Sequence, residues 1–414
     1  MASELRVVSP SSAKLAEADG LSVERLRTII QDSHLNFLIG AGTSAPFFAP
    51  LGDVEKVLTE LQDDDDETRL ARTSVQGYFF EKVLMQNLCL LEAKSNADAQ
   101  ALIKSYAGFV GTLNRILLRR RSTLLGKQVN LFTTNVDMAF ELALELLEID
   151  TNDGFAGKLR PRLDLGEYST LRFRQGAQFG YRSEIPTFNL FKLHGSAGWH
   201  GGGEEIYFDH RLELIQAVKN SFDAARSSLL TIAGAENIDA AKLKADAEGK
   251  SFSDEARAFA KGYERLQIVN PEKTKFASTV LNKTYYELIR RFANELEKEN
   301  SALFAHGFSF RDEHLLDLVL RAAATNPTLQ VIVFCYSRAA HTEMSALFPP
   351  ERIKNGNVLF VQPAAPEAGK EELKLTLDIV VSDFLDKVLG DSAPSADHII
   401  ELKLGTVDGA VGNA

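Results

Sequence analysis

The sequence predicts an α/β protein built on a doubly wound parallel sheet, and three observations support this fold class. The apolar run Phe37–Ile39 breaks directly into the glycine-rich segment Gly40–Ser44, as a buried strand does when its end approaches a phosphate. Two further apolar runs end in short polar segments, Thr133–Asp137 and Lys192–Ser196. Strand-like and helix-like segments alternate over 302–388, and this alternation is typical of parallel strands joined by helical crossovers.

The spacing of apolar residues predicts the individual elements, because helices repeat every three to four residues and strands every two. In chain order these are a helix at 22–31, a strand ending at 39, helices within 70–118, a strand at 128–133, a helix at about 136–148, short strands and loops over 151–190, a strand at 188–193, a hairpin over 199–208, helices over 210–265 with a break near 249–251, a helix at 277–298, and then strands at 302–307, 329–335 and 357–361 that alternate with helices at 312–324, 339–346 and 371–388.

The 414 residues exceed what one small core needs, so we expect either one large domain with insertions or two domains. Residues 1–24 are polar and small and are interpreted as an N-terminal arm. Residues 25–365 form the predicted main domain, and the Ala-, Lys- and Glu-rich stretch at about 205–300 is predicted to be a helical insertion. Residues 366–414 are predicted to form a C-terminal helix and tail.

Composition excludes several classes of function. The net charge is −11, and a protein that grips nucleic acid usually carries a basic face, so no direct nucleic-acid binding is expected. The two cysteines, Cys89 and Cys335, provide neither a disulfide framework nor a four-cysteine zinc site. The apolar runs are too short to cross a membrane and no secretory signal is evident. We therefore expect a cytoplasmic protein without a membrane anchor.

The glycine-rich segment has the chemistry of a phosphate site. Glycine lets backbone N–H groups approach a ligand closely, and Ala45 completes a G-x-G-x-x-A pattern. We expect the backbone of Gly40, Ala41, Gly42, Thr43 and Ser44 to bind a pyrophosphate. An ordinary dehydrogenase would place an acidic ribose ligand about 20 residues later, and that layout is missing here.

Four motifs together resemble the sirtuin family. They are GAGTS at 40–44, TTNVD at 133–137, KLHGS at 192–196 and GFSFRDEH at 307–314, in the order of that family. The resemblance covers roughly residues 25–365 and implies a Rossmann-like sheet that binds NAD. The zinc-ribbon cysteines, the Pro-Asp-Phe-Arg element and the Phe-Gly-Glu motif of sirtuin deacylases are missing.

With these departures the chain resembles the prokaryotic sirtuin-like branch that hydrolyses NAD in antiphage defence. The segments Ile268–Pro271 and Tyr285–Arg290 further resemble members encoded beside a HerA-type hexameric ATPase. This likeness implies a homo-oligomer that works with such an ATPase. It also implies an NAD hydrolase without a zinc ribbon and without a required metal.

The resemblance also assigns roles to residues. Asn135 and His194 are the implied catalytic residues, acting on the ribose or on the attacking water. The implied cofactor-binding set beyond the glycine segment is Thr134, Asp137, Gly307, Ser309, Tyr336 and Ser337.

Simpler structural roles remain open for some of these residues. Asn135 has the chemistry of a helix N-cap, and Asp137 that of a first-turn carboxylate. Ser309 and Asp312 match an S-x-x-D capping box. Cys335 is interpreted as a core residue, because it ends the apolar run Val331–Cys335.

Three functions remain open at this point. The first is an NAD hydrolase that depletes NAD. The second is an NAD-dependent protein deacylase, which the missing motifs disfavour. The third is a non-catalytic, nucleotide-binding assembly subunit.

Overall fold

The computed structural model describes residues 6–8, 21–50, 52–92, 96–120, 125–178, 180–202, 205–235, 238–269, 279–366 and 369–390. The strands in chain order are β1 (Arg6–Val8), β2 (His34–Ile39), β3 (Gln128–Thr133), β4 (Thr151–Asn152), β5 (Phe155–Ala156), β6 (Arg162–Leu163), β7 (Phe173–Gln175), β8 (Arg182–Glu184), β9 (Thr187–Lys192), β10 (Gly195–Gly202), β11 (Glu205–Phe208), β12 (Leu266–Ile268), β13 (Ser301–His306), β14 (Gln330–Phe334) and β15 (Val358–Val361). The helices are α1 (Val23–Asp32), α2 (Val54–Glu60), α3 (Asp66–Phe79), α4 (Gln86–Leu91), α5 (Ala97–Arg119), α6 (Ala139–Leu146), α7 (Glu213–Ala225), α8 (Ala240–Ala247), α9 (Asp254–Tyr263), α10 (Thr279–Glu297), α11 (Glu313–Thr325), α12 (Arg338–Ala346), α13 (Leu377–Val380) and α14 (Asp386–Leu389).

The central sheet has the strand order β1-β15-β14-β13-β2-β3-β9-β4, and its neighbouring strands are parallel. From β2 the chain moves outward through β3 to β9, and then returns to place β13, β14 and β15 on the other side of β2. The predicted α/β class with a parallel sheet is therefore confirmed. The order reverses between β2 and β13, and ligands of open α/β sheets bind outside the carboxyl ends of strands at such a switch point.

Helices cover both faces of this sheet, because alternate strand residues point to opposite sides. On one face, Phe37 and Phe304 stack beneath α1, α5, α6 and the C-terminal helices. On the other face, Leu38 and Phe132 pack against α10 and α11. A parallel sheet buried on both faces explains why its strands are mainly apolar rather than alternating between apolar and polar residues.

A second sheet, antiparallel and five-stranded, has the order β12-β10-β11-β6-β5. Strand β12 lies inside the stretch 205–300, which was predicted to be helical, and that prediction is wrong for β12 because it pairs with β10, the strand that follows β9. Strand β11 also pairs with β10 and confirms the hairpin predicted over 199–208. A separate apolar core joins this sheet to α2, α3, α7 and α9.

Several element boundaries differ from the sequence prediction. Helix α6 begins at Ala139 and not at 136, because the carboxylate of Asp137 accepts the N–H of Ala139 and starts the helix there. The last helical segment begins at Leu377, after the Thr376 cap, and not at 371. Within the predicted arm, Arg6–Val8 forms an edge strand on β15. The predicted tail after residue 390 lies outside the described residues.

Three asparagines form a row across the sheet. Asn36 on β2, Asn130 on β3 and Asn189 on β9 are register partners, and each is at least nine-tenths buried. Asn130 Nδ2 donates to Asn36 Oδ1 at 2.8 Å, and Asn189 Nδ2 donates to Asn130 Oδ1 at 2.8 Å. This row fixes which residues face each other on β2, β3 and β9, and therefore aligns the carboxyl ends of these strands.

None of the described helices combines the length and the apolar character needed to cross a membrane.

Candidate functional site

The glycine segment 40–44 leaves β2 at the switch point and packs against the segment that leaves β13. The N–H of Gly40 donates to the carbonyl of His306 at 3.0 Å, and the N–H of Gly42 donates to that of Gly307 at 2.9 Å. A Cβ added at Gly40 would lie 2.5 Å from the Gly307 carbonyl oxygen, and Gly307 itself has φ of +63°. The close approach of the two loops therefore requires glycine at Gly40 and Gly307.

This packing reduces the number of backbone N–H groups that are available to the predicted pyrophosphate site. Besides Gly40 and Gly42, the N–H of Thr43 donates to Gly40 O and that of Ser44 donates to Ala41 O. Four of the five predicted amides are thus bonded within the protein. The part of the segment that reaches solvent is the half-buried Ala41 and the exposed Gly42.

A buried polar network lies behind the glycine segment. Ser44 Oγ donates to Asp137 Oδ2 at 2.8 Å, and lies 2.7 Å from the hydroxyl of Tyr106 on α5. Burial, and then the charge of Asp137, raise the pKa of Tyr106 well above its ordinary value, so this phenol stays protonated. Ser44 and Asp137 therefore hold the loop in place and are not directed at solvent.

Asn135 closes this network. Its Nδ2 donates to Gly40 O at 3.2 Å and to Ser44 Oγ at 3.1 Å. The residue is only 7% exposed, and its buried Oδ1 has no hydrogen-bond partner among the described residues. Helix α6 begins at Ala139, so the alternative role of Asn135 as a helix N-cap is wrong.

Lys192, the last residue of β9, secures the segment that carries Asn135. Its ammonium donates to the carbonyls of Asn135 and Asp137 and lies 3.2 Å from Glu141 Oε2. Burial raises the pKa of Glu141, and the charge of Lys192 opposes that rise. A cation paired in this way fixes the loop after β3 against the end of β9.

His194 stands beside an acidic partner. Its Nε2 lies 3.3 Å from Asp312 Oδ2, and both side chains are 21% exposed. Burial alone would raise the pKa of Asp312. The hydrogen bond and charge of His194, with the N–H groups of Leu315 and His314, instead lower the pKa to about 2. Asp312 is therefore an anion at neutral pH, and it directs Nε2 as a donor and leaves Nδ1 as the proton acceptor.

Asp312 is also the N-cap of α11, since it accepts the N–H groups of His314 and Leu315. The S-x-x-D capping box predicted for Ser309 and Asp312 is therefore wrong, because the helix starts three residues later than that pattern requires. Tyr285 on α10 lies near the pair, with its ring centre 6.2 Å from that of His194. Burial raises the pKa of Tyr285, so it is a neutral phenol.

His306 joins the two glycine loops from behind. Its Nε2 lies 3.0 Å from the carbonyl of Leu375, so this nitrogen carries the proton and Nδ1 accepts from Thr43 Oγ1 at 2.8 Å. Burial lowers the pKa of His306 to about 4, although Leu375 and Asp378 oppose this shift. Thr43 is thereby held in the interior.

The remaining predicted residues lie around this centre. Thr134 donates its N–H to Ile39 O, and Ser309 is exposed beside Gly307. Tyr336, at the end of β14, is 50% exposed, and Ser337 caps α12. Strand β14 is two strands away from β2, which corresponds to roughly 10 Å.

Asn135 and His194 come from adjacent strands at the same height. Thr133 on β3 is the register partner of Lys192 on β9, and each predicted catalytic residue follows its strand end by two positions. The structure thus brings an amide with a free oxygen and a histidine–aspartate pair to the same edge of the sheet. Such a pair can accept a proton from a hydroxyl or a water.

Among the described residues, no group of three or more histidine, cysteine, aspartate or glutamate side chains is placed to hold a metal ion. A scan against models of protein families and a search of curated proteins each returned no match to this chain.

Sequence reasoning missed four residues that shape the site: Tyr106, Glu141, Lys192 and His306. Only Lys192 carried a signal, because it opens the KLHGS motif at a position where a buried strand ends. Asp312 had been given only a capping role.

Proposed function

We propose that this chain hydrolyses NAD at the bond between nicotinamide and ribose, giving ADP-ribose and nicotinamide. The observation that supports this most is the unpartnered Oδ1 of Asn135, buried at the switch point of a parallel sheet. An acceptor left unpaired in the interior costs about 1–3 kcal/mol. A ribose hydroxyl or an attacking water would donate to it and recover that cost.

His194 would supply the proton acceptor. The bond from the anomeric carbon to the nicotinamide nitrogen breaks, and its electron pair neutralises the cationic ring. A water oxygen bonds to the anomeric carbon, and His194 Nδ1 takes the proton that this water loses. The transition state has oxocarbenium character, as in other glycoside cleavages. Asp312 stabilises the protonated imidazole because its carboxylate stays ionised.

Ala41 and Gly42 are the part of the glycine segment that would meet the pyrophosphate. Gly307, Ser309, Tyr336 and Ser337 would line the path towards the ribose and the adenine. The order of the motifs, which resembles sirtuins, supports the same assignment.

The same resemblance supports a role as a homo-oligomeric antiphage effector that depletes NAD together with a HerA-type ATPase. An NAD hydrolase without control would drain its own cell, so we expect assembly to gate the activity.

Incubation of the purified chain with NAD, with and without an acylated lysine peptide and the ATPase, tests the proposal. We expect ADP-ribose without any peptide, and Asn135→Ala or His194→Ala should each abolish it while the circular dichroism spectrum is kept. The exposed Asn220→Ala and His314→Ala are the matched controls and should retain activity. Turnover that depends on the peptide would instead indicate a deacylase. Wild-type turnover in either site variant would remove that residue from the mechanism.

A further inference from the structure

A cleft of about 640 Å³ opens on the antiparallel sheet, at a place that shares no lining residue with the site of Asn135 and His194. Its floor is the β10–β11 hairpin at His200 and Tyr207, and one wall is the first turn of α7. Its volume falls within the range of small-molecule sites.

Four cationic side chains line this cleft: Lys158, Arg160, Arg211 and Arg265. All four are exposed, and none of them forms an ion pair with another described residue. The chain as a whole carries a net charge of −11, so a cleft lined by four cations that form no ion pair with a described residue departs from its overall acidic character. They create a local positive potential that attracts anions.

Two carboxylates also line the cleft, and neither forms an ion pair with one of these four cations. Asp209 accepts the N–H groups of Arg211 and Leu214, so its oxygens are directed to the start of α7. Glu213 lies in the first turn of the same helix, where the helix dipole already favours negative charge. An anionic ligand would gain from the same dipole.

Arg160 is held in position for a ligand. Its guanidinium carbon lies 5.3 Å from the centre of the Tyr207 ring. The hydroxyl of Tyr207 donates to Glu205 Oε2 at 2.5 Å, and Glu205 Oε1 pairs with Arg162 at 2.6 Å. The ring that supports Arg160 is thus fixed, and less entropy is lost when this guanidinium binds.

His200 adds a polar group at the floor of the cleft. Its ring stacks on Tyr207, with centres 5.6 Å apart, and its buried Nδ1 has no hydrogen-bond partner within the part of the chain that the structure describes. Arginine and histidine side chains around one open cleft suit phosphate oxygens, which accept several hydrogen bonds at once.

We propose that this cleft binds a small molecule carrying phosphate groups, of the size of a nucleoside polyphosphate, as a second ligand site. A strand of nucleic acid fits less well, because the cations are confined to one cleft of an acidic protein and do not form a stripe.

The single tryptophan makes the site directly observable. Trp199 precedes His200 and is the cross-strand partner of Phe208, which lines the cleft. Titration of the full chain with ATP, with tripolyphosphate and with a short single-stranded oligonucleotide would therefore be followed by Trp199 fluorescence.

We expect ATP and tripolyphosphate to change the fluorescence saturably. The double variant Arg160→Ala/Arg265→Ala should weaken both by about tenfold or more, since two charge-assisted contacts are lost. Arg321→Ala removes an exposed arginine on α11 that does not line the cleft and should leave both affinities within about twofold. Each variant is first checked for an unchanged melting temperature.

Three results would overturn the proposal. The first is no fluorescence response to either phosphate compound at millimolar concentration. The second is equal affinity in the wild type and the double variant. The third is oligonucleotide binding that is much tighter than ATP binding and is lost in the double variant, which would assign the cleft to nucleic acid.

Discussion

His306 makes the stability of the fold depend on pH between about 4 and 6.5. It is buried at the end of β13, and burial lowers its pKa to about 4 from an ordinary value of 6.5. Between these two values the unfolded chain binds the proton and the folded chain does not, so stability rises with pH. The contribution is complete above about pH 6.5 and is lost as the pH falls towards 4.

The size of this contribution follows from the shift. One pKa unit corresponds to about 1.4 kcal/mol, so the full loss is roughly 3 kcal/mol, and most of it is reached by pH 4.5. Urea unfolding at pH 7.0 and pH 4.5 gives the free energy of unfolding at each pH. His306→Gln has no imidazole to protonate, so the difference between the two pH values should be smaller in this variant by about 2–3 kcal/mol.

Val333→Ala, on the neighbouring strand β14, is the control for destabilisation without a titrating group. It removes buried methyl groups and should lower the free energy of unfolding equally at both pH values. The reasoning about His306 is refuted if His306→Gln keeps the full pH dependence of the parent protein.

Three further predictions concern the glycine loops, the acidic partner and assembly. Gly40→Ala should destabilise the protein by about 1–3 kcal/mol, because the new methyl group would meet Gly307 O. The control is Gly108→Ala in α5, where the methyl group meets open space and should be neutral or stabilising by up to ~1 kcal/mol. Thermal unfolding compares the two variants, and similar melting temperatures would contradict the loop packing. Asp312→Asn keeps a capping oxygen but loses the charge beside His194, so kcat for NAD cleavage should fall roughly 10- to 100-fold with little change in KM; an unchanged kcat would exclude a positioning role. Light scattering at micromolar concentration should show a homo-oligomer, and a monomer that cleaves NAD constitutively would oppose gating by assembly.

The main strands and their order along the chain could be predicted, because each buried strand appears in the sequence as a short segment rich in apolar residues. Phe37–Ile39 is a continuous apolar run, Gln128–Thr133 and Thr187–Lys192 are strands with apolar residues on both sides of one asparagine, and each of the three ends in a polar motif. Parallel strands place these ends at one edge, so the approximate location of Asn135 and His194 also followed from the sequence.

The supporting groups were not predictable, because their roles depend on contacts between distant segments. Tyr106 lies in an apolar helix and looks like any core tyrosine until Ser44 is seen beside it. The sequence motif around Gly40 is the same whether this glycine makes room for a phosphate or for Gly307, and only the packing in the structure distinguishes these two roles. Strand β12 is too short to show a period, so its pairing with β10 was missed.

The asparagine row has a consequence for how this protein can change over time. Replacing Asn130 alone by an apolar residue would leave Asn36 Oδ1 without its donor and Asn189 Nδ2 without its acceptor, whereas replacing all three would leave apolar side chains facing one another across β2, β3 and β9. The three positions are therefore not independent, and a single change is expected to be harmful where the triple change is tolerated. Variation at Asn36, Asn130 and Asn189 should be correlated, so a lineage can lose the row as a unit but rarely one position at a time.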